Sequence, residues 1–537
     1  MTQISDQTSF KFMTNTVPML SLFRTLVLIF FVFSIAAYST ISNSKDTEVA
    51  QGEDTWDDYY TFKSITIPPE VNAQIGGLTV LKNGNIAAAF HRGEVLIYDP
   101  NEDKWQTFAH GLHEPLGLHE LADGSLILAQ MAELTRLVDE DKNGQADFYQ
   151  TISDDFGLSG NYHEFAFGPA VDSKGNYYIS LNVASNFAGI FENIRGTFSP
   201  FGPSRDTMTD WRNDEWKNTL RHTAGRMFSK VPYRGWVLKI TPEGKASPFA
   251  SGFRSPNGLY VDKNDKLWVT DNQGDWLGTS PLYHVQEGKF YGHPASLVWN
   301  KGWDRDPLDV SAHSLNQMRT PPAGLFPHGE LANSPTQAIA PPQNKLFGLP
   351  TDELIIGDMN QQRLIRFLPD QVNGVMQGAA IPFLETAQLG IGNNRFAFDL
   401  SGNLWIGKTH LGWAGDEGIK SVAWNKKPYL FVSDVTLTKN GFKISFSLPL
   451  DTKPSIAAEA HTYHYHAKYG SPKVDHSANI KVNTTLSEDR KTMWINYPQL
   501  ASGYVYTMNL RGAQTQDSQA LLGNIIRYTV NQIPQSD

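Results

Sequence analysis

One short phrase recurs six times between residues 75 and 425: a turn containing Gly or Asp, a run of β-favouring residues, then a polar break. Its instances are Asn83–Phe90 (NGNIAAAF), Asp123–Gln130 (DGSLILAQ), Lys174–Leu181 (KGNYYISL), Asn264–Asp271 (NDKLWVTD), Thr351–Asp358 (TDELIIGD) and Ser401–Lys408 (SGNLWIGK). A second short strand follows several of them, as in Gly93–Asp99, Ala132–Asp139 and Gln362–Leu368. A turn-bounded strand pair cannot bury its apolar face alone, and repeated units that stack face to face describe the blades of a propeller. The repeat therefore predicts an all-β chain whose main body, residues 66–426, is a six-bladed β-propeller.

After Pro428 the pattern changes to longer alternating strands, over Phe431–Leu450, His461–Gly470, Lys491–Pro498 and Tyr504–Leu510, with Lys439-Asn440-Gly441 as a hairpin turn. Period-two alternation predicts a small Ig/fibronectin-like β-sandwich over residues 427–535. Two spacings between repeats are long, and long loops on a rigid scaffold tend to carry function. The first includes Asn186–Pro232, where Trp211 and Trp216 stand near Arg212 and Lys217. It reads either as a flap offering aromatic stacking to a sugar or as a variable surface excursion. The second, Ala295–Leu346, is Pro-rich and holds Phe326–Glu330 (FPHGE).

Leu26–Tyr38 (LVLIFFVFSIAAY) is the one membrane-grade stretch; at about 13 residues it is short for a span of roughly 20 and fits the apolar region of a secretory signal. Residues 1–44 are expected to be a signal peptide, or an anchor if uncleaved, giving a periplasmic or secreted protein that touches membrane only in the second case. The acidic stretch that follows, residues 45–65, reads as a linker. The 45 Lys and Arg against 55 Asp and Glu give a formal charge of −10 with no dense basic run, which argues against a nucleic-acid partner. The chain has no cysteine, which excludes disulfides, thiolate nucleophiles, iron–sulfur clusters and covalently attached haem. Any redox chemistry must then use a dissociable cofactor.

Asp139, Asp141, Asn143 and Asp147 place side-chain oxygens at positions 1, 3, 5 and 9 of a loop with Gly144 at position 6 for the sharp turn and the carbonyl of Gln145 available at position 7. This is the donor set of a Ca²⁺ loop, with Gln150 where a full EF-hand has a bidentate Glu; the alternative is a solvated acidic turn. His464 and His466 would share one side of a strand, as a metal pair lacking a carboxylate or as a hydrogen-bonded structural pair. There is no G-x-S-x-G, Walker loop or Rossmann fingerprint.

Four segments in order carry a resemblance to a known family. Tyr162–Asn182 (YHEFAFGPAVDSKGNYYISLN), Gly252–Asp275 (GFRSPNGLYVDKNDKLWVTDNQGD), Glu287–Pro294 (EGKFYGHP) and Gly392–Gly407 (GNNRFAFDLSGNLWIG) resemble the conserved stretches of soluble pyrroloquinoline-quinone (PQQ) glucose/sorbosone dehydrogenases. With the FPHGE loop, Gly412–Gly418 (GWAGDEG) and the terminal YHYH and YGSP motifs, the chain looks like the "membrane-bound dehydrogenase" relatives of that family. Many of those carry a fused cytochrome, which a chain without cysteine does not.

The resemblance implies an exported quinoprotein-type oxidoreductase that oxidises a sugar or related alcohol with PQQ and Ca²⁺ and passes electrons to an external acceptor. It implies His163 as the general base, Arg254 and Arg395 on the PQQ carboxylates, Ser255 in place of a cofactor-contacting Asn, and Gly274 and Asp275 beside a calcium that polarises the quinone. Departures are Ser255 itself, Asp275 where the family has Pro, Ala397 where it has a second Arg, and no Lys near Asp358–Gln361. Two other readings stand beside it: a calcium-dependent lactonase or other hydrolase on a six-bladed scaffold, and a non-catalytic propeller that binds carbohydrate or protein.

Overall fold

Each of the six repeats folds as the second strand of an antiparallel sheet, eight-stranded for Leu354–Asp358 and four-stranded for the others: Ile86–Phe90, Leu126–Ala129, Tyr177–Leu181, Leu267–Thr270, Leu354–Asp358 and Leu404–Lys408. The computed structural model describes residues 54–185, 193–202, 227–411 and 415–535. The expected signal or anchor, the tryptophans Trp211 and Trp216 with Arg212 and Lys217, and the first three residues of the Gly412–Gly418 segment lie outside the described residues. Among the described residues no helix is long and apolar enough to cross a membrane.

The repeat wording has a physical cause. In three sheets an Asp opens the turn between first and second strands and caps it. Asp172, Asp262 and Asp399 each accept hydrogen bonds from the backbone N–H groups two and four residues on. Their other oxygen accepts from the ring of the residue six on, Tyr178, Trp268 and Trp405 respectively, at 3.0 to 3.1 Å. One carboxylate thus fixes the turn and orients a core aromatic, a stronger device than the turn propensity alone.

Successive sheets pack face to face through their first strands. Ile75–Val80 touches both His119–Glu120 and Asn393–Phe398, Ala166–Val171 packs on Leu126–Ala129 and on Gly258–Val261, and Pro335–Ile339 links Gly258–Val261 to Asn393–Phe398, so the sheets close a ring. The last sheet is completed by the start of the described chain: Tyr60–Ile65 pairs antiparallel with Gly418–Trp424, from Tyr60 opposite Trp424 to Ile65 opposite Ile419. The linker expected over residues 45–65 therefore ends sooner than its composition suggested. Ring closure demands a fourth strand for the last sheet, and the half-polar YTFKSI supplies it at the outer edge.

The fifth sheet does not stop at its outer strand. Val375–Phe383 pairs with Ile525–Val530, which leads to Tyr504–Arg511, Ser455–Thr462 and Val474–Ser477. A second sheet of Val432–Thr438, Gly441–Phe446, Thr492–Asn496 and Asn483–Leu486 covers it. Val435, Leu437, Phe442, Ile444 and Ile495 meet Met508, Ile526 and Tyr528 in the core between them. His461–Gly470, expected as a strand, is one only as far as Thr462. The rest leaves the sheet because its main chain finds partners on the propeller, described below.

Candidate active site

In an antiparallel four-stranded unit the connections from strand two to three and from strand four to the next unit emerge at one end, and the other connections at the opposite end. His163, Arg254, Ser255, Gly274 and Asp275 all lie in connections of the first kind, so they share one face of the ring. The Asp139–Asp147 loop joins the third and fourth strands of its sheet and lies at the opposite face.

The centre of the site is the Arg254-Ser255 corner. The backbone N–H groups of both residues donate to the buried carboxylate of Asp271, at 2.8 and 2.7 Å. Burial pushes the Asp271 pKa up, and these bonds oppose the rise. With the corner pinned, its two side chains serve different partners.

Ser255 faces His163, its Oγ 3.1 Å from the imidazole Nε2. His163 Nδ1 lies 2.7 Å from the carbonyl oxygen of Val183, and only a protonated Nδ1 can bond that acceptor. In the neutral ring Nε2 then carries the lone pair, and the Ser255 hydroxyl donates to it. Asn182 Nδ2 in turn donates to Ser255 Oγ at 3.2 Å. The His163 loop is held from behind: its N–H donates to Asn161 Oδ1 at 3.1 Å, and fully buried Arg234 donates to the carbonyls of Gly157, Glu164 and Phe165. Burial pushes the Arg234 pKa down to about 10, against the pull of Glu164.

Arg254 turns the other way, its Nε donating to Asp275 Oδ1 at 3.0 Å. A Cβ on Gly274 would sit 1.9 Å from that Nε, so the arginine passes beneath a residue that must be glycine. Asp275 Oδ2 faces His293 Nε2 at 3.4 Å. Burial opposes ionisation of Asp275, but His293 and Arg254 outweigh it and hold the carboxyl well below the usual range. The partnership raises the Arg254 pKa although desolvation works against it.

The terminal YHYH and YGSP segment closes over this pair. Gly470 N–H donates to Gly274 O at 2.9 Å, Trp276 N–H to His466 O at 3.0 Å, and Ser471 N–H to Gly278 O at 2.9 Å. Tyr465 OH donates to Gly292 O at 2.5 Å, and the Tyr469 ring lies 5.5 Å from the Arg254 guanidinium carbon. His464 and His466 stand side by side, ring centroids 5.7 Å apart, with His466 Nδ1 accepting from Lys468 N–H.

Arg395 is deeply buried and lines a separate cavity of about 40 Å³ with Asn257 and Gln337, of which Arg254 is not a wall. Its Nε donates to Gly76 O at 2.9 Å and its Nη1 to the Asn394 carbonyl and side-chain oxygens. Desolvation alone pushes its pKa down to about 9. In the opposite-face loop, oxygens of Asp139, Asp141 and Asp147 come within 4.8 Å of one another, the one such grouping of acidic or imidazole groups among the described residues. Asn143 Oδ1 accepts from Gln145 N–H, and Gly144 N–H donates to Asp139, which keeps the loop wound.

Sequence reasoning missed Asp271, Asn182, His293 and Tyr469. Asp271 closes a repeat and His293 lies in the quoted EGKFYGHP, so both were in view without a reason to single them out. Tyr469 lies in the YGSP motif, but its place over Arg254 depends on contacts between distant parts of the chain.

No family model and no curated protein matches the sequence. Solved structures do resemble this one. A putative oxidoreductase (glucose dehydrogenase) of Thermus thermophilus shares 15% identity at a TM-score of 0.44, covering 68% of this chain and 99% of its own. The PQQ-bound aldose sugar dehydrogenase of Streptomyces coelicolor shares 14% at 0.43, covering 68% and 98%. A putative gluconolactonase shares 12% at 0.37, covering 68% and 92%.

Among the described residues, the two arginines expected on the PQQ carboxylates are engaged elsewhere. Arg254 is already neutralised by Asp275, a buried carboxylate that repels another, and Arg395 serves carbonyl oxygens beside a cavity with room for little more than water. Nor do the acidic and imidazole groups at Asp275 form a calcium site, since its two oxygens already face Arg254 and His293.

Proposed function

We propose that this chain is an oxidoreductase of the sugar-dehydrogenase type, with His163 as the general base that takes a proton from a hydroxyl of a sugar or related alcohol. The observation that carries the reading is the His163 tautomer. An imidazole whose Nδ1–H is tied to Val183 O presents a basic Nε2, and a hydroxyl, that of Ser255, already donates to it. A substrate hydroxyl that displaces Ser255 meets the same acceptor at the same distance, with no reorganisation of the base. Asn182 stays to hold the displaced serine.

The oxidant in this reading is dissociable, PQQ being the one that the sequence resemblance implies, and the electrons pass to an external acceptor. Because Arg254 and Arg395 are engaged, no step of the proposal runs through the quinone. Ca²⁺ enters as a structural ion in the Asp139, Asp141, Asn143, Gln145 and Asp147 loop, one face away from the base. Export to the periplasm or outside the cell belongs to the same reading. The experiment is sugar-dependent dye reduction by the purified chain supplied with PQQ and Ca²⁺; no turnover with any aldose or sugar alcohol overturns it.

A second reading is favoured by one observation. Ser255 Oγ on His163 Nε2 is also the first contact of a nucleophile and its base. A hydrolase acting on a lactone or ester would use it, and Ser255→Ala would abolish that activity outright.

A further inference from the structure

On the same face as His163, the loop between the second and third strands of the fifth sheet meets the loop that leads into the sixth. Between them runs a groove of about 470 Å³, within the range of small-molecule sites. Its polar walls are Asn360, Gln361, Gln362, Arg363, Glu385 and Thr386. We infer that this groove is a binding subsite for a neutral polyhydroxylated ligand, the non-reacting sugar unit of a saccharide substrate. The inference rests on the proposed function for the identity of the reacting unit only.

Charge decides the ligand class. Arg363 Nη2 lies 2.8 Å from Glu385 Oε1, so the cation and the carboxylate among the described lining residues neutralise each other. What remains is the carboxamides of Gln361 and Gln362, since the Thr386 hydroxyl already donates to Asp57 Oδ1 at 2.8 Å. A carboxamide offers an acceptor and two donors on one planar group, and so can bridge neighbouring hydroxyls. The Gln361 and Gln362 side chains make no hydrogen bond to any described residue.

The frame beneath these side chains is rigid. Asp358 accepts the N–H groups of Asn360 and Gln361 at 2.7 and 2.9 Å, and those of Asn333 and Ser334 from the adjacent connection at 2.7 and 2.9 Å. Thr386 N–H donates to Gln362 O at 3.1 Å and ties the two walls together. Backbones held by hydrogen bonds, with the Gln361 and Gln362 carboxamides left over, describe a preorganised polar site rather than a frayed loop edge.

The test is calorimetric titration of the whole chain with maltose and, separately, with glucuronate. Maltose should bind, glucuronate should bind no better, and the double variant Gln361→Leu with Gln362→Leu should weaken maltose at least tenfold while its melting temperature stays that of the parent. His163→Ala should leave maltose binding in place. Unaltered maltose affinity in the double variant, absence of maltose binding, or preference for glucuronate each overturns the inference. Maltose binding lost in the double variant, in a chain that reduces no dye with any sugar, would uphold the groove and remove the dehydrogenase reading.

Discussion

Ser255 Oγ stands 3.1 Å from His163 Nε2, and Arg254, the residue before it, reaches Asp275 in the other direction. One corner, fixed by Asp271, therefore positions both the base and the buried ion pair. The proton-accepting half and the electrostatic half of the site can be separated by mutation.

On the basic side, Ser255→Ala removes the hydroxyl but leaves the Val183 bond that sets the tautomer. Dehydrogenase turnover should fall less than tenfold, because the substrate supplies its own hydroxyl to Nε2. Steady-state rates decide between the two chemistries, since a hydrolase that uses Ser255 as nucleophile would lose all activity in the same variant.

On the acidic side, Asp275→Asn leaves Arg254 buried without its counter-charge and should cost roughly 3 to 5 kcal/mol, read as a lower denaturant midpoint at pH 7. The sign of the pH dependence follows from the depressed Asp275 pKa. Its contribution is fully present above the unfolded carboxyl pKa of about 4 and is lost as pH falls below it towards the lower folded value. The Asn variant should therefore lose less stability than the parent below pH 4.

Lys408 gives a second pH signature. It is almost wholly buried, bonded to the carbonyls of Leu389 and Ile391 and to Asn393 Oδ1, and desolvation pushes its pKa down to about 7. Between that value and the unfolded one near 10.4 the unfolded chain binds more protons, so this group makes stability rise with pH, by at most about 1.4 kcal/mol per unit. Unfolding midpoints from pH 7 to 9 should rise more steeply in the parent than in Lys408→Met.

For the opposite-face loop, added Ca²⁺ should raise the melting temperature, and Asp141→Asn should abolish the rise. Turnover at a temperature well below melting should not change with the Asp141 variant, because the loop joins third and fourth strands and the base lies at the other end of the ring.

The sequence showed the strands of the ring because each repeat carries its own local cause, a turn residue and a run of β-favouring residues, with Asp172, Asp262 and Asp399 capping three of the turns. It did not show Tyr60–Ile65, whose strand character comes from pairing with Gly418–Trp424 and not from its own pattern. It over-read His461–Gly470, where alternation of Tyr and His serves docking against the Gly274–Gly278 turn. At the site, His163, Arg254, Ser255, Gly274 and Asp275 were named by resemblance and are brought together on one corner. Their partners Asp271, Asn182 and His293 were not, since a hydrogen bond between residues far apart in the chain leaves no mark on either one's neighbours.

The central claim is that His163 Nε2 takes the substrate proton. His163→Ala, assayed beside the parent for sugar-dependent dye reduction with PQQ and Ca²⁺, should lose roughly 100-fold or more in turnover, as removal of a general base does, while melting temperature and saccharide binding hold. A His163→Ala protein that turns over at the parent's rate would contradict the account.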